Sequence, residues 1–230
     1  MRKTAITAPG HHLKEKHDNP KENTAFEALI KACAVKKDIS GGTRLHADIV
    51  ESGLLGKSPF LATTLVLMYL KCGVPTKAQE VLDQLAIKDV VSWSALISGF
   101  AQHGRGEEAL SCFARMQNEG VSPNAITLAS TLKACGRVAS ISKGEQVHVE
   151  IVSMGFLEKD IVLCTTLVDM YAKCGMLAKA QEVLDELAVR NVVTWSAMIA
   201  GYAVQGQLNE ALKCFKQMQS EGLSPNEITF

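Results

Sequence analysis

The chain has 230 residues, 47% of them apolar and 21% charged, and its 24 basic side chains balance 24 acidic ones. That composition supports a packed core in one or two domains and excludes wholesale disorder. Zero net charge argues against a polybasic nucleic-acid binder held by excess Lys and Arg, but leaves room for one locally basic or polar groove. No run approaches the roughly 18 consecutive apolar residues of a membrane helix. The longest, Phe60 to Leu70, contains two threonines, so a soluble chain without a membrane partner is expected.

Residues 1–22 read as a leader. Arg2, Lys3 and Lys14 precede the first acid, Glu15, a pattern that suits either an organelle transit segment or plain disorder. His11, His12 and His17 lie in this leader and are not read as a metal site. From residue 23 the chain repeats itself. Residues 23–128 align without a gap on residues 125–230, an offset of 102, with about half the positions identical. KCG-x3-KAQEVLD occurs at Lys71–Asp83 and at Lys173–Asp185, and VV-x-WSA at Val90–Ala95 and at Val192–Ala197. Each block divides again, which predicts six units at 23–58, 59–89, 90–124, 125–160, 161–191 and 192–226, then a stub, Glu227–Phe230.

Every unit reads as two helices. In 90–124 the first places Trp93, Leu96, Ile97 and Phe100 on one apolar stripe. Gly104 and Gly106 mark a turn, and Glu107 and Glu108 sit where a helix N-terminus favours negative charge. The second helix carries Ala109, Leu110, Phe113 and Met116 on one face and ends at Glu119-Gly120, with Pro123 closing the unit. The unit 161–191 repeats this with Leu167, Met170, Tyr171 and Cys174, then Ala180, Val183, Leu184 and Leu187. One such hairpin cannot bury its own stripe, whereas stacked neighbours bury a continuous core. The expected fold is therefore all-α, an α-solenoid of twelve helices in a right-handed superhelix. Ile228-Thr229-Phe230 opens another apolar helix, so the chain is expected to be part of a longer array.

Seven cysteines form no C-x-x-C pair, which speaks against a redox or metal framework. Cys33/Cys135, Cys72/Cys174 and Cys112/Cys214 recur at the 102-residue offset on helices and are expected to be small buried residues. His46 and His148 recur likewise and read as structural, while Trp93 and Trp195 read as core anchors. No phosphate loop, paired catalytic carboxylates or nucleophile-and-base arrangement is found, so no catalytic residues are assigned.

The strings LVDMYAKCG (Leu167–Gly175), VVSWSALISGF (Val90–Phe100), EEAL-x-CFARMQNEGVSPN (Glu107–Asn124) and GEQVH-x-x-I (Gly144–Ile151) resemble pentatricopeptide repeats. The alternation of 31, 35 and 36 residues is similar to the family's mixed-length subclass. The resemblance implies single-stranded RNA binding, in a mitochondrion or chloroplast, in RNA processing, editing or stability, alongside editing or processing factors. It implies no cofactor and no small-molecule substrate. Mixed-length arrays often continue into a deaminase-like domain with H-x-E and P-C-x-x-C, and neither occurs here. The alternative is a tetratricopeptide-like peptide scaffold, which Trp93, Leu96, Phe100, Ala109, Phe113 and Pro123 partly match. Ile97 stands where that pattern wants glycine, Met116 where it wants a small residue, and the unit lengths miss its uniform 34-residue period.

By the same resemblance, the fifth and last residues of a unit select one base. The pairs are Thr63 with Asp89, Ser94 with Asn124, Thr165 with Asn191 and Ser196 with Asn226. Residues of these types also serve as ordinary helix starts and turns. The second residues Phe60, Val91, Val162 and Val193 either sandwich the base or belong to the core. Glu27 with Ser58 and Ala129 with Asp160 depart from the hydroxyl-plus-amide pattern, so the two long units are expected to be spacers or weak readers. Hydroxyl-plus-Asn implies adenine and hydroxyl-plus-Asp implies guanine, giving a core of 5′-G-A-N-A-A-3′.

Overall fold

A computed structural model describes the backbone of residues 20–85, 88–157, 159–226 and 229, with side chains from residue 23 onward. The expected leader and the stub residues Glu227, Ile228 and Phe230 lie outside the described residues, apart from positions 20–22, which already belong to the first helix. That helix starts at a proline, whose missing N–H suits a helix's unpaired first turn. Twelve α-helices follow in order: α1 (Pro20–Lys36), α2 (Ile39–Glu51), α3 (Pro59–Lys71), α4 (Pro75–Asp83), α5 (Val90–Gln102), α6 (Gly106–Asn118), α7 (Ala125–Val138), α8 (Ile141–Ser153), α9 (Ile161–Lys173), α10 (Leu177–Glu186), α11 (Val192–Val204) and α12 (Leu208–Ser220). There is no strand among the described residues.

Packing is strictly local along the chain. Each even-numbered helix touches the odd-numbered helix before it and, α12 excepted, the one after it. Each odd helix also touches the next odd helix, while no two even helices touch among the described residues. The odd helices therefore form the tighter inner row, and the even ones splay behind them. Such nearest-neighbour stacking is the signature of an α-solenoid.

The apolar stripes predicted for α5 and α9 drive this stacking. Trp93, Leu96, Ile97 and Phe100 are fully buried, as are Leu167, Met170 and Tyr171. Each large apolar side chain so buried contributes about 1.5–3 kcal/mol. The even helices are amphipathic: α6 buries Ala109, Cys112, Phe113 and Met116 and exposes Glu107, while Leu110 is only half-buried.

Two expectations need correction. Gly104 does turn the chain, with φ of 79°, but Gly106 is a buried helical residue at the start of α6. A Cβ there would stand 2.5 Å from Val138 Cγ1, so Gly106 permits close approach of α6 to α7. Among the paired cysteines, Cys112, Cys135 and Cys214 are buried, whereas Cys33, Cys72 and Cys174 are half-buried, the last two at the C-caps of α3 and α9. Burial pushes the Cys112 and Cys135 thiols up to about 12.

The recurring histidines join neighbouring helix pairs. His46 Nδ1 lies 3.0 Å from the Tyr69 hydroxyl, and His148 Nδ1 3.0 Å from that of Tyr171. Burial is the main cause that holds both imidazoles below the usual histidine range.

Candidate nucleic-acid interface

The residue preceding each of the odd helices α3, α5, α7, α9 and α11 caps it. Ser58, Asp89, Asn124, Asp160 and Asn191 each accept a backbone N–H from the first turn. Asn124 Oδ1 accepts from the Thr127 N–H at 2.9 Å and the Thr127 hydroxyl at 2.8 Å. Asn191 Oδ1 accepts from the Thr194 N–H at 2.9 Å and from its hydroxyl at 3.2 Å. A backbone N–H requires an acceptor, so the carbonyl end of each amide points into the helix and the NH2 end points away. Asp89 Oδ1 is held the same way by the Ser92 N–H at 2.8 Å and hydroxyl at 2.7 Å. Burial raises the Asp89 pKa, but the hydrogen bonds from Ser92 outweigh it and leave the carboxyl below its usual range.

The second residues are not core residues. Phe60, Val91, Val162 and Val193 are 62%, 55%, 65% and 54% exposed, so they stand off the core in a row along the odd helices. Ile126, not singled out from the sequence, joins this row at 63% exposure. Between successive members lie two cavities. One, of about 880 Å3, is lined by Phe60, Val91, Thr63 and Asp89 together with Lys31 and Lys71. The next, of about 410 Å3, is lined by Val91, Ile126, Ser94 and Asn124, again with Lys71. Each cavity thus has two apolar walls and one hydroxyl-plus-cap pair, with Lys71 at the margin of both and Lys31 also at that of the first.

The fifth residues sit deeper than the capping ones. Ser94, Thr165 and Ser196 are buried and Thr63 is half-buried. Thr63, Ser94 and Thr165 bond the carbonyl four residues back in their own helices, those of Pro59, Val90 and Ile161. Ser94 also reaches Asn124 Oδ1 at 3.3 Å. Ser196 reaches the Thr229 hydroxyl at 2.9 Å, and Thr229 in turn bonds Asn226 Oδ1 at 2.9 Å. No direct hydrogen bond joins Thr165 to Asn191 or Thr63 to Asp89 among the described residues, although the latter two share a cavity. In the long units, Glu27 pairs with Lys31, and Ala129 has no hydroxyl. No helix among the described residues is long and apolar enough to cross a membrane.

The PPR repeat family model matches residues 88–137 and 190–230, and the single PPR repeat model matches residues 162–192, together just over half of the chain. The chain belongs to the pentatricopeptide repeat family. It is similar to a pentatricopeptide repeat-containing protein of Arabidopsis thaliana, 37% identical over 89% of this chain and 34% of that protein. Two others from the same plant, named mitochondrial and chloroplastic, are each 38% identical over 92% and 90% of this chain. The pentatricopeptide stretch described here spans about a third of the length of these relatives. Among solved structures it resembles the pentatricopeptide repeat protein PPR10 from maize, with a TM-score of 0.71 at 22% identity over 94% of this chain and 31% of that one. A second structure of PPR10, in complex with an 18-nt psaJ RNA element, gives 0.67 at 23% identity over 89% and 31%. These likenesses establish the same fold.

Proposed function

We propose that this chain binds single-stranded RNA along the row of odd helices, one base to each helix pair, as a mixed-length array built of the six units 23–58, 59–89, 90–124, 125–160, 161–191 and 192–226. The observation that carries the reading is the pair of adjoining cavities, each walled by consecutive exposed apolar residues and edged by one hydroxyl-plus-cap pair. A base slotted there has apolar surface on both faces and a polar edge opposite Asp89 or Asn124. Asn124 offers an NH2 donor to adenine N1, and Asp89 offers a carboxylate to the N1–H and N2–H of guanine. Lys71, at the margin of both cavities, is placed for a phosphate. The RNA core assigned to the four reading units is 5′-G-A-N-A-A-3′. The relatives' names support a place in a mitochondrion or chloroplast and the RNA complex of PPR10 supports RNA as the partner; service in RNA processing, alongside editing or processing factors, is part of the same proposal.

Titration of labelled G-A-N-A-A RNA, the matching duplex and a panel of helical peptides tests this reading. Binding of the single strand above the duplex is expected. Few phosphate contacts imply a shallow salt slope, about −0.7 per neutralised phosphate. Peptide binding without RNA binding would reassign the chain as a tetratricopeptide-like scaffold.

A further inference from the structure

One set of buried side chains is absorbed by neither the apolar core nor the selecting pairs. It comprises Ser92, Thr127, Thr194 and Thr229, each the third residue after the Asp or Asn that ends a unit and each buried. The hydroxyls of Ser92, Thr127 and Thr229 donate to Oδ1 of that Asp or Asn at 2.7, 2.8 and 2.9 Å, and that of Thr194 lies 2.8 Å from the Asn191 carbonyl and 3.2 Å from its Oδ1. Thr127 and Thr229 also touch the fifth-residue hydroxyl of the preceding helix pair, Ser94 at 2.6 Å and Ser196 at 2.9 Å. The chain of contacts at the second cavity therefore runs Ser94, Thr127, Asn124. At the two long units the corresponding residues are Leu61 and Leu163, which have no hydroxyl. All four hydroxyl-plus-amide or hydroxyl-plus-acid pairs have this third hydroxyl, and both departures from that pattern lack it.

Resting on the RNA-binding reading, we propose that Ser92, Thr127, Thr194 and Thr229 are positioning residues for base choice. The backbone N–H alone fixes which end of the cap enters the helix. A single donor still lets the amide or carboxylate plane rock about that bond. The hydroxyl is a second donor to the same oxygen, and it pins the plane so that Nδ2 of Asn, or Oδ2 of Asp, is presented to the cavity. Ser94 and Ser196, which touch Thr127 and Thr229, then act on the base through this link.

Thr127→Val tests the inference, because valine matches threonine in shape and Ser94 keeps its bond to the Val90 carbonyl at 2.5 Å. In the full chain, the preference for G-A-N-A-A over G-G-N-A-A is expected to fall about fivefold, the worth of one hydrogen bond. Discrimination at the fourth nucleotide, G-A-N-A-A against G-A-N-G-A, should be unchanged, and Thr127→Ser should retain the wild-type preference at both. Thr194→Val gives the reciprocal result, loss at the fourth nucleotide alone, and serves if Thr127→Val does not fold. A Thr127→Val protein that melts at lower temperature yet keeps its adenine preference would make the hydroxyl a stability element only, leaving the RNA reading intact. A wild-type chain without adenine preference at the second nucleotide would sink both.

Discussion

Asn124→Asp separates helix capping from base choice. The substitution keeps Oδ1, which accepts from the Thr127 N–H at 2.9 Å and hydroxyl at 2.8 Å. A carboxylate at the start of α7 also gains about 0.3–1 kcal/mol from the helix dipole. Unfolding free energy should therefore hold or rise slightly. What changes is the end facing the cavity beside Val91 and Ile126, where an NH2 donor becomes an acceptor. Adenine N1 then loses its donor and faces a like-polarity oxygen, whereas guanine gains an acceptor for N1–H. Discrimination through such edge contacts is worth about 1–3 kcal/mol, or roughly fivefold to a hundredfold in relative affinity. Anisotropy titrations at fixed salt with G-A-N-A-A and G-G-N-A-A should show the preference invert at that nucleotide alone. Asn124→Ala, the companion variant, should cost about 1 kcal/mol of stability and weaken both RNAs. An unchanged affinity ratio in Asn124→Asp would refute the reasoning and leave Asn124 as a cap.

Ile126→Ser should change stability by less than about 0.5 kcal/mol, since the side chain is 63% exposed, yet weaken binding of single-stranded RNA by about 1 kcal/mol through the lost wall; denaturation and titration of one preparation check both. Trp195→Phe should destabilise more than Trp93→Phe, by about 1–3 kcal/mol in urea unfolding. Trp195 Nε1 donates to Glu221 at 2.9 Å, whereas the Trp93 Nε1–H is buried without a partner. His46 and His148 have folded pKa values below the unfolded 6.5, chiefly through burial, with Lys77 and Lys179 lowering them further and Glu80, Glu145 and Glu186 opposing. The unfolded chain then binds more protons, so their stabilisation is complete above pH 6.5 and is lost as pH falls through the folded values. Unfolding midpoints measured from pH 7.5 to 5 should fall less steeply in the His46→Gln, His148→Gln double variant.

The helix pairs were legible in the sequence because the stripe Trp93, Leu96, Ile97 and Phe100 follows the helical period, and all four residues are buried. The exposed row was also legible in principle. At about 100° per residue, Val91 lies about 200° around the helix from Trp93, and Ile126 bears the same relation to Leu128, so both face away from the stripe. The depth of Ser94 and the helical placement of Gly106 were not legible. Both depend on how closely neighbouring helices cross: Gly106 against Val138, and Ser94 against Thr127. A single helix's pattern does not encode its distance to the next.

The same packing lets Asn124 or Asp89 start a helix and still serve the proposed base choice. Each carries two polar ends; the helix start takes one and leaves the other at the cavity. Ser58 has a single short hydroxyl, whose oxygen the Leu61 N–H engages at 3.3 Å, so it caps α3 with no second polar end of the kind an amide or carboxylate carries. Asp160 is the instructive case, because it has a second oxygen. Its Oδ1 takes the Val162 and Leu163 N–H groups at 3.0 and 2.9 Å, with no third-residue hydroxyl to pin the plane and no hydroxyl at Ala129. Two backbone donors hold this carboxylate as a cap of α9, but its unit offers neither a buried third-residue hydroxyl nor a fifth-residue hydroxyl beside the free oxygen. Asp160→Asn should therefore leave affinity nearly equal for all four bases at the third nucleotide, in contrast to Asn124→Asp at the second. Titrating the four G-A-N-A-A variants against both proteins measures this. A base preference at the third nucleotide that inverts on Asp160→Asn would show that a cap alone directs base choice, without the buried hydroxyls.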